Sequence, residues 1–314
     1  MMEYSYKISN DLENFTKTIA KHPFQSGNFA KFYSEQHGCK PFMIHIKEDG
    51  LLVAQLFYFL KGKGSETFSG FLGGKWVNAV SQYVFPELVW YAGPTFFGRV
   101  NKEEVTSYII HVLGKEHGAK RITADLPFVY GKNKWGTIRI NLRQSIDDLW
   151  NRIDKSARKN ISKTEVLVDV SVVNDVESVK KYLDLLRDSR KHLGFVYLPP
   201  VHVNDLLVNI FRRNAMIVLV TEKKTGKAIA GMGLLLGSQS CVEVGSAIST
   251  YCRDNKLYCG DLIKWEIIKY AKMQGLEFYD LGGCSPSPSN AKEVQIRKFK
   301  EKFGGDYVEY GVLR

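Results

Sequence analysis

The stretch DLIKWEIIKYAKMQGLEFYDLGG (261–283) decides the fold, because a helical pattern stops at a glycine and a strand pattern follows it. Apolar residues recur at helical spacing from Asp261, the predicted N-cap, up to Gly275, and glycine commonly ends helices. A hairpin is predicted before this helix at 216–237, and a third strand at 241–249. The predicted order is therefore a β-hairpin, a third strand, a helix and a fourth strand.

The first half of the chain repeats this order. A hairpin is predicted over 41–60, a further strand ends near 89–94, and a helix over 101–118 leads into a strand over 119–126. The glycine that ends this helix and the Asp-Leu pair that ends the strand mirror those of the second half. Their spacing differs by two residues, but the shared order of elements predicts a duplicated fold.

We predict an α+β protein of two tandem domains, residues 1–143 and 144–314. Each domain is expected to contain a mixed, mostly antiparallel sheet flanked by helices. In the second domain, four further helices are predicted at 145–163, 176–194, 198–214 and 291–305. A closing strand is predicted at 306–313.

The composition limits the class of protein. The chain has 314 residues, 44% hydrophobic and 12% aromatic, which excludes a disordered or low-complexity protein. No apolar run reaches the roughly 18–20 residues of a membrane helix, and the N-terminus lacks the pattern of a signal peptide. The formal net charge of +11 fits either a solvated basic surface or a partner rich in phosphate.

The five cysteines and seven histidines form no metal-binding pattern. The cysteine number is odd, no two cysteines form a C-x-x-C pair, and no histidine cluster accompanies them. This usage is typical of a reducing compartment, so we expect a cytoplasmic protein without a metal site or a disulfide framework.

Two candidate binding stretches rest on charge and on glycine. The basic face of the 145–163 helix carries Arg158, Lys159 and Lys163, which could hold a diphosphate or a nucleic-acid backbone. In LGGCSPSPSN (281–290), a glycine pair after a strand lets the backbone approach a ligand closely. The alternatives are a solvated helix face and a plain loop.

Two further candidates involve aromatic and acidic side chains. In QIRKFKEKFGG (295–305), cations surround Phe299 and Phe303, and a ring between cations could stack on a base. The alternative, an amphipathic helix with its rings in the core, is favoured for Phe303. Glu243 interrupts an apolar strand and is either a general base of raised pKa or a residue on the solvent face.

The sequence has no GxSxG, HExxH, GxGxxG or GxxxxGK[ST] motif. A nucleophilic triad, a zinc-protease site and a nucleotide P-loop are therefore unsupported. An enzyme built on this chain would act by positioning and electrostatics.

Six short segments carry a resemblance to a known family. They are HPFQS (22–26), YAGP (91–94), SARKNISKTEV (156–166), AIAGMGLLLG (228–237), DLIKWEIIKYAKMQGLEFYDLGG (261–283) and IRKFKEKFGG (296–305). Together they resemble the Fem-type aminoacyl transferases, which are the peptidoglycan-bridge peptidyltransferases of the GNAT superfamily. The resemblance covers nearly the whole chain and implies two tandem acetyltransferase-like domains.

The resemblance implies an aminoacyltransferase. Members of the family move an amino acid from aminoacyl-tRNA to an amino group of a cell-wall precursor and thereby form a peptide bond. The precursor carries a diphosphate, as a UDP-sugar peptide or in a lipid-linked form. The implied partners are therefore charged tRNA and this precursor, with peripheral contact to a membrane, and no separate cofactor is implied.

The resemblance also assigns roles to residues. Lys300, preceded by Phe299, matches the catalytic Phe-Lys pair of the family, and its implied role is to stabilise charge that develops on the tRNA ester. Glu243 lies near the position of a tyrosine that helps catalysis in some members and is a candidate base. The implied substrate contacts are the phosphate-binding region with Arg158, Lys159 and Lys163, together with Tyr258, Asp280, Gly282 and Gly283.

Two other functions remain as alternatives. A CoA-dependent N-acyltransferase of the GNAT type would use acyl-CoA as its donor, and an RNA-binding protein would keep the fold without the chemistry. Acetyl-CoA enzymes typically carry R/Q-x-x-G-x-G/A where the central strand leads into its helix. This chain has RDNKLYCGD (253–261) there, with a single glycine, so tRNA is the expected donor.

Overall fold

A computed structural model describes residues 4–11, 22–62, 80–119, 121–126, 134–192 and 215–313. The chain divides into two compact units, residues 1–135 with 309–314 and residues 136–308. The domain boundary expected at 143–144 stays a prediction. None of the helices in the described part of the chain is both long and apolar enough to span a membrane. The helix expected at 198–214 lies outside the described residues.

The first unit is built on a sheet with one parallel pair of strands. Its elements are β1 (Tyr4–Ser9), a 3-10 helix (Pro23–Gln25), α1 (Gly27–His37), β2 (Lys40–Glu48), β3 (Leu51–Gly62), β4 (Pro86–Trp90), β5 (Thr95–Phe96), α2 (Lys102–His117) and β6 (Arg121–Leu126). The strand order is β1-β2-β3-β4-β6, with residues 311–313 beside β6. Strands β4 and β6 run parallel, and the other pairs are antiparallel.

Gln25 joins the segments HPFQS (22–26) and YAGP (91–94) of the first unit. Its side-chain amide donates to the carbonyl oxygen of Tyr91 at 2.6 Å and accepts from the backbone N–H of Phe57 at 2.8 Å. The side chain is 1% exposed, so these bonds satisfy a buried polar group that would otherwise be costly. Gln25 therefore ties HPFQS both to YAGP and to β3.

The second unit has the same kind of sheet. Its elements are β7 (Lys134–Asn141), α3 (Ile146–Arg152), α4 (Lys155–Glu165), β8 (Val168–Val173), α5 (Val176–His192), β9 (Ala215–Glu222), β10 (Ala228–Leu236), β11 (Ser240–Ile248), α6 (Thr250–Asp254), α7 (Cys259–Met273), β12 (Phe278–Cys284), α8 (Ala291–Glu301) and β13 (Asp306–Leu313). The strand order is β7-β12-β11-β10-β9-β8, and only the β11–β12 pair among these is parallel. The first residues of β7 and the last of β13 belong to the first unit.

The two units share one order of elements, which confirms the predicted α+β fold with a repeated pattern. Hairpin β2–β3 corresponds to β9–β10, and strands β4 and β11 each add to their hairpin in the antiparallel sense. Helices α2 and α7 then lead to β6 and β12, which lie parallel to β4 and β11. After each helix a glycine takes the left-handed conformation, with φ of +59° at Gly118 and +72° at Gly275.

The prediction of one continuous helix over 145–163 is wrong, because the structure has two helices there, α3 and α4. Ser145 caps α3 as predicted, by accepting from the N–H of Asp148 at 3.0 Å, but the helix ends at Arg152. Asp154 starts the next helix, because its carboxylate accepts from Ser156 N–H at 2.7 Å. The N–H of Asp154 itself donates to the carbonyl oxygen of Lys302 at 2.7 Å, a tertiary contact that no helical period reveals.

The predicted start of α7 is also wrong. The helix begins at Cys259, so Asp261 lies in its first turn and not at the N-cap. The Asp261 carboxylate is buried and accepts from the side-chain amide of Asn160 in α4 at 2.7 Å. Burial raises its pKa above the ordinary value. The acidic side chain therefore joins two helices.

In the FGG sequence after α8, both glycines lie so close to neighbouring residues that a Cβ would clash with them. Phe303 is 1% exposed, which confirms its predicted place in the core. Gly304 has a φ of +68°, and a Cβ there would lie 2.6 Å from the Cβ of Arg152 and 2.7 Å from its carbonyl oxygen. A Cβ on Gly305 would lie 2.7 Å from Cγ2 of Ile138. Close backbone approach at this corner thus sets the position of α8.

We predict that Gly304→Ala lowers the free energy of unfolding by roughly 2–4 kcal/mol, the sum of left-handed strain and a steric clash. Gly226→Ala is the matched control, because Gly226 has the same φ of +68° and no atom within 4 Å of its would-be Cβ. It should cost only about 1 kcal/mol. Urea unfolding of both variants measures the difference, and equal losses would contradict the close approach.

Candidate active site

The end of β12 and helix α8 bring Lys300 onto the glycine pair. Gly282 turns the strand with a φ of +74°, and a Cβ there would lie 3.7 Å from Nζ of Lys300. Nζ donates to the carbonyl oxygens of Gly282 and Gly283, at 2.8 Å in both cases. The structure therefore brings together three of the residues predicted from the sequence. An ammonium group has three N–H donors, so one is left over by these two bonds.

Asp280 holds the turn that carries these carbonyls. It is 5% exposed, and its Oδ1 accepts from the N–H of Gly282 at 2.8 Å and from the hydroxyl of Thr137. Nη2 of Arg139 lies 3.4 Å from Oδ2. These contacts are with the protein itself, and the predicted contact of Asp280 with substrate stays a prediction.

The surroundings of Lys300 act on its charge in opposite directions. Burial lowers the pKa of its ammonium below the ordinary value, while the carboxylate of Glu243 opposes that shift. Lys264, a second cation, lowers the pKa further, and Cys284 and Asp280 on β12 raise it. A cation whose charge is partly desolvated interacts strongly with charge that develops beside it.

Glu243 lies inside the unit and not on a solvent face, so that alternative is wrong. Its side chain is 10% exposed, and Oε1 accepts from Nζ of Lys264 and from the hydroxyl of Tyr279. Lys264 is 3% exposed, and Tyr279 is fully buried. Burial, followed by the charge of Glu243, raises the pKa of Tyr279 well above its ordinary value, so its hydroxyl remains a donor.

Sequence reasoning missed Lys264 and Tyr279. Lys264 lies in the most apolar part of α7, between the buried residues Ile263 and Trp265. A lysine there is a signal, since lysine is almost never fully buried unless it is paired. Tyr279 is part of the YDLGG segment, but only the strand register shows that its side chain reaches Glu243.

Phe299 separates two cations. Its ring centroid lies 5.9 Å from Nζ of Lys264 and 5.4 Å from Nζ of Lys302, distances typical of cation–π contacts. The ring also packs edge-on against Phe303, with centroids 5.5 Å apart. Base stacking on Phe299 stays a prediction.

The basic face lies on α4, which packs against α7. Lys159 and Lys163 are exposed and have no hydrogen-bond or ion-pair partner within the described ranges. Arg158 donates to the side-chain oxygen of Asn151 at 3.3 Å. Tyr258 adjoins the end of α4, because its backbone N–H donates to Oγ1 of Thr164 at 3.1 Å, and its side chain is 42% exposed. Tyr258 therefore adjoins the C-terminal end of α4, whereas the side chain of Arg158 reaches back to α3.

Comparison with known proteins bears out the resemblance. Residues 212–311, which include Glu243, the glycine pair and Lys300, match the FemAB family. No curated protein matches the chain.

Solved structures share the fold. The crystal structure of FemX has a TM-score of 0.73 and 14% identity, and the alignment covers 100% of this chain and 98% of that one. A tandem GNAT protein from the clavulanic acid biosynthesis pathway gives a TM-score of 0.51 and 10% identity over 99% and 97% of the two chains. L-PGS from Bacillus licheniformis gives 0.54 and 12% over 96% and 90%. The predicted tandem GNAT-like fold is confirmed.

We predict that Lys264→Met lowers the free energy of unfolding by about 1–3 kcal/mol, because the buried carboxylate of Glu243 loses the ammonium that donates to it. The double variant Lys264→Met/Glu243→Gln removes both charges and should recover most of that loss. Urea unfolding of the two single variants and the double variant measures the coupling. Additive losses would contradict a buried ion pair.

Proposed function

We propose that this protein, with its FemAB-family segment, is an N-acyltransferase that moves an amino acid from aminoacyl-tRNA to an amino group of a cell-envelope precursor. One observation carries the proposal: the ammonium of Lys300 is held on the carbonyls of Gly282 and Gly283 with one N–H to spare. Acyl transfer from an ester needs such a donor, because the carbonyl oxygen becomes negatively charged. Since charged tRNA is a cytoplasmic substrate, we place the reaction in the cytoplasm.

The proposed reaction balances without a cofactor. The amine of the acceptor attacks the ester carbonyl of the aminoacyl-tRNA, and the third N–H of Lys300 stabilises the resulting oxyanion. The C–N bond forms, the C–O bond to the ribose breaks, and the ribose oxygen takes up the proton that the amine loses. Lys300 ends the reaction as it began. Because Oε1 of Glu243 already accepts two donors, we propose a counter-ion role for Glu243 in place of the predicted general base.

The precursor contacts are proposed for the basic face of α4 and for Tyr258. Lys159 and Lys163 are exposed cations without protein partners in the described segments. Their ammonium groups can therefore donate hydrogen bonds to phosphate oxygens. The side chain of Tyr258 beside them offers a surface for the sugar or base. These groups act as binding residues in the proposal, and Lys300 acts on the bond that breaks.

The backbone hydrogen bonds of residues 255–258 support tRNA over CoA as the donor. Acyl-CoA enzymes bind a pyrophosphate on free backbone amides ahead of a helix. In this chain the amides of Asn255, Lys256 and Leu257 donate to carbonyls of α6, and the amide of Tyr258 donates to Thr164. Residues 255–258 therefore offer no free amide to a pyrophosphate.

We predict that Lys300→Met reduces transfer from charged tRNA by about 10²–10³-fold, the usual loss for one oxyanion donor. Lys298→Met is the matched control, since Lys298 is an exposed lysine of the same helix, and it should leave transfer near the wild-type rate. The assay follows radiolabelled amino acid from tRNA to an amine acceptor. Undiminished transfer by Lys300→Met would remove Lys300 from the reaction.

Parallel assays with acyl-CoA separate the proposal from its rivals. We expect transfer from charged tRNA and none from acyl-CoA. The reverse result would support the CoA-dependent alternative. Salt-sensitive RNA binding with no transfer from either donor would support the RNA-binding alternative.

A further inference from the structure

Two lysines on different helices lie in the surroundings of Glu243, and Lys264 binds its carboxylate. Nζ of Lys264, on α7, donates to Oε1 of Glu243, and the hydroxyl of Tyr279 donates to the same oxygen. Lys300, on α8, donates to two backbone carbonyls and forms no hydrogen bond with Glu243. Nevertheless, the two residues lie at the same turn, because a Cβ on Gly282 would lie 3.7 Å from Nζ of Lys300 and 3.8 Å from the backbone carbonyl oxygen of Glu243. Of the charged groups that shift the pKa of Lys300, Glu243 has the largest effect, and it raises that pKa.

The other anion near Lys300 is already engaged. Asp280 accepts from the N–H of Gly282 and from Thr137 and lies beside Arg139. The ionisable groups that shift the pKa of Lys300 are Glu243 on β11, Lys264 on α7, and Asp280 and Cys284 on β12. Among them, Glu243 is the carboxylate that Lys300 would bind if Lys264 did not.

We propose that Lys264 is a positioning residue, whose ammonium binds Glu243 and thereby leaves the third N–H of Lys300 available to the reacting ester. This inference rests on the proposed function. A hydrogen bond between ammonium and carboxylate is stronger than one to a neutral carbonyl. Without Lys264, Lys300 would move its free donor to Glu243, and the oxyanion would lose its partner.

Chemical labelling of Lys300 tests this link without any transfer reaction. Acetic anhydride acylates only the neutral amine, so the labelling rate at a pH below the pKa reports how firmly Lys300 holds its proton. The exposed Lys298 of the same helix is the internal standard, and peptide mass spectrometry reads both sites.

We expect the labelling rate of Lys300 to fall by about threefold or more in Lys264→Met, because a cation is lost and Glu243 is set free. Lys264→Arg, which keeps the cation, should retain the wild-type rate. Lys264→Met/Glu243→Gln should restore that rate and also keeps the test valid if the single variant folds poorly. Lys269→Met, at an exposed lysine of the same helix, is the control that should change nothing.

Transfer assays complete the test. Lys264→Met should lower kcat and leave the KM for charged tRNA near its wild-type value, because binding of tRNA does not involve Lys264. An unchanged labelling rate of Lys300 in folded Lys264→Met, or a reduced rate that the double variant does not restore, would overturn the inference. Absence of transfer with every donor would instead overturn the proposed function, since the labelling result does not depend on it.

Discussion

The contact between the ammonium of Lys300 and the carbonyl oxygens of Gly282 and Gly283 is the constraint on which the candidate site depends. It joins helix α8 to the end of β12, and each partner needs its own support. Asp280 holds the glycine turn by accepting a hydrogen bond from the N–H of Gly282. Gly304 lets the chain after α8 pass close to Arg152. A substitution at either support would move the ammonium group, although neither residue approaches the ester in the proposed reaction. The fold thus places one donor and fixes it from both sides.

Cations and an anion lie near one another around this contact, which explains why buried ionic groups are tolerated there. Lys264 binds Glu243, Glu243 raises the pKa of Lys300, and the ring of Phe299 lies within cation–π distance of both Lys264 and Lys302. Each of these buried charges has an opposite charge or a hydrogen-bond partner beside it, so the cost of removing it from water is partly offset. The same arrangement sets the pKa of Lys300 through burial and through Glu243 together. The net charge of +11 is therefore less informative than the position of a few cations.

Much of this architecture could be predicted from the sequence, because it depends on local patterns. The order of hairpin, strand, helix and strand follows from periodicity and from glycines such as Gly275, and the Lys300 motif follows from a family resemblance. Tertiary contacts account for what was missed. The helix over 145–163 breaks where Asp154 meets the carbonyl of Lys302, and Asp261 leaves the predicted cap to bind Asn160. Lys264 was overlooked because its partner, Glu243, lies 21 residues away on another element.

In the proposed function, the ammonium donor on the glycine turn serves transfer of an amino acid from an ester to an amine. The most direct test is the mass of the product formed when wild-type protein, tRNA charged with an isotope-labelled amino acid, and a diphosphate-bearing precursor with a free amine are combined. We expect a new amide on that amine, with a mass increase equal to the labelled residue. A precursor of unchanged mass, with the labelled amino acid still on tRNA or released only by hydrolysis, would contradict it.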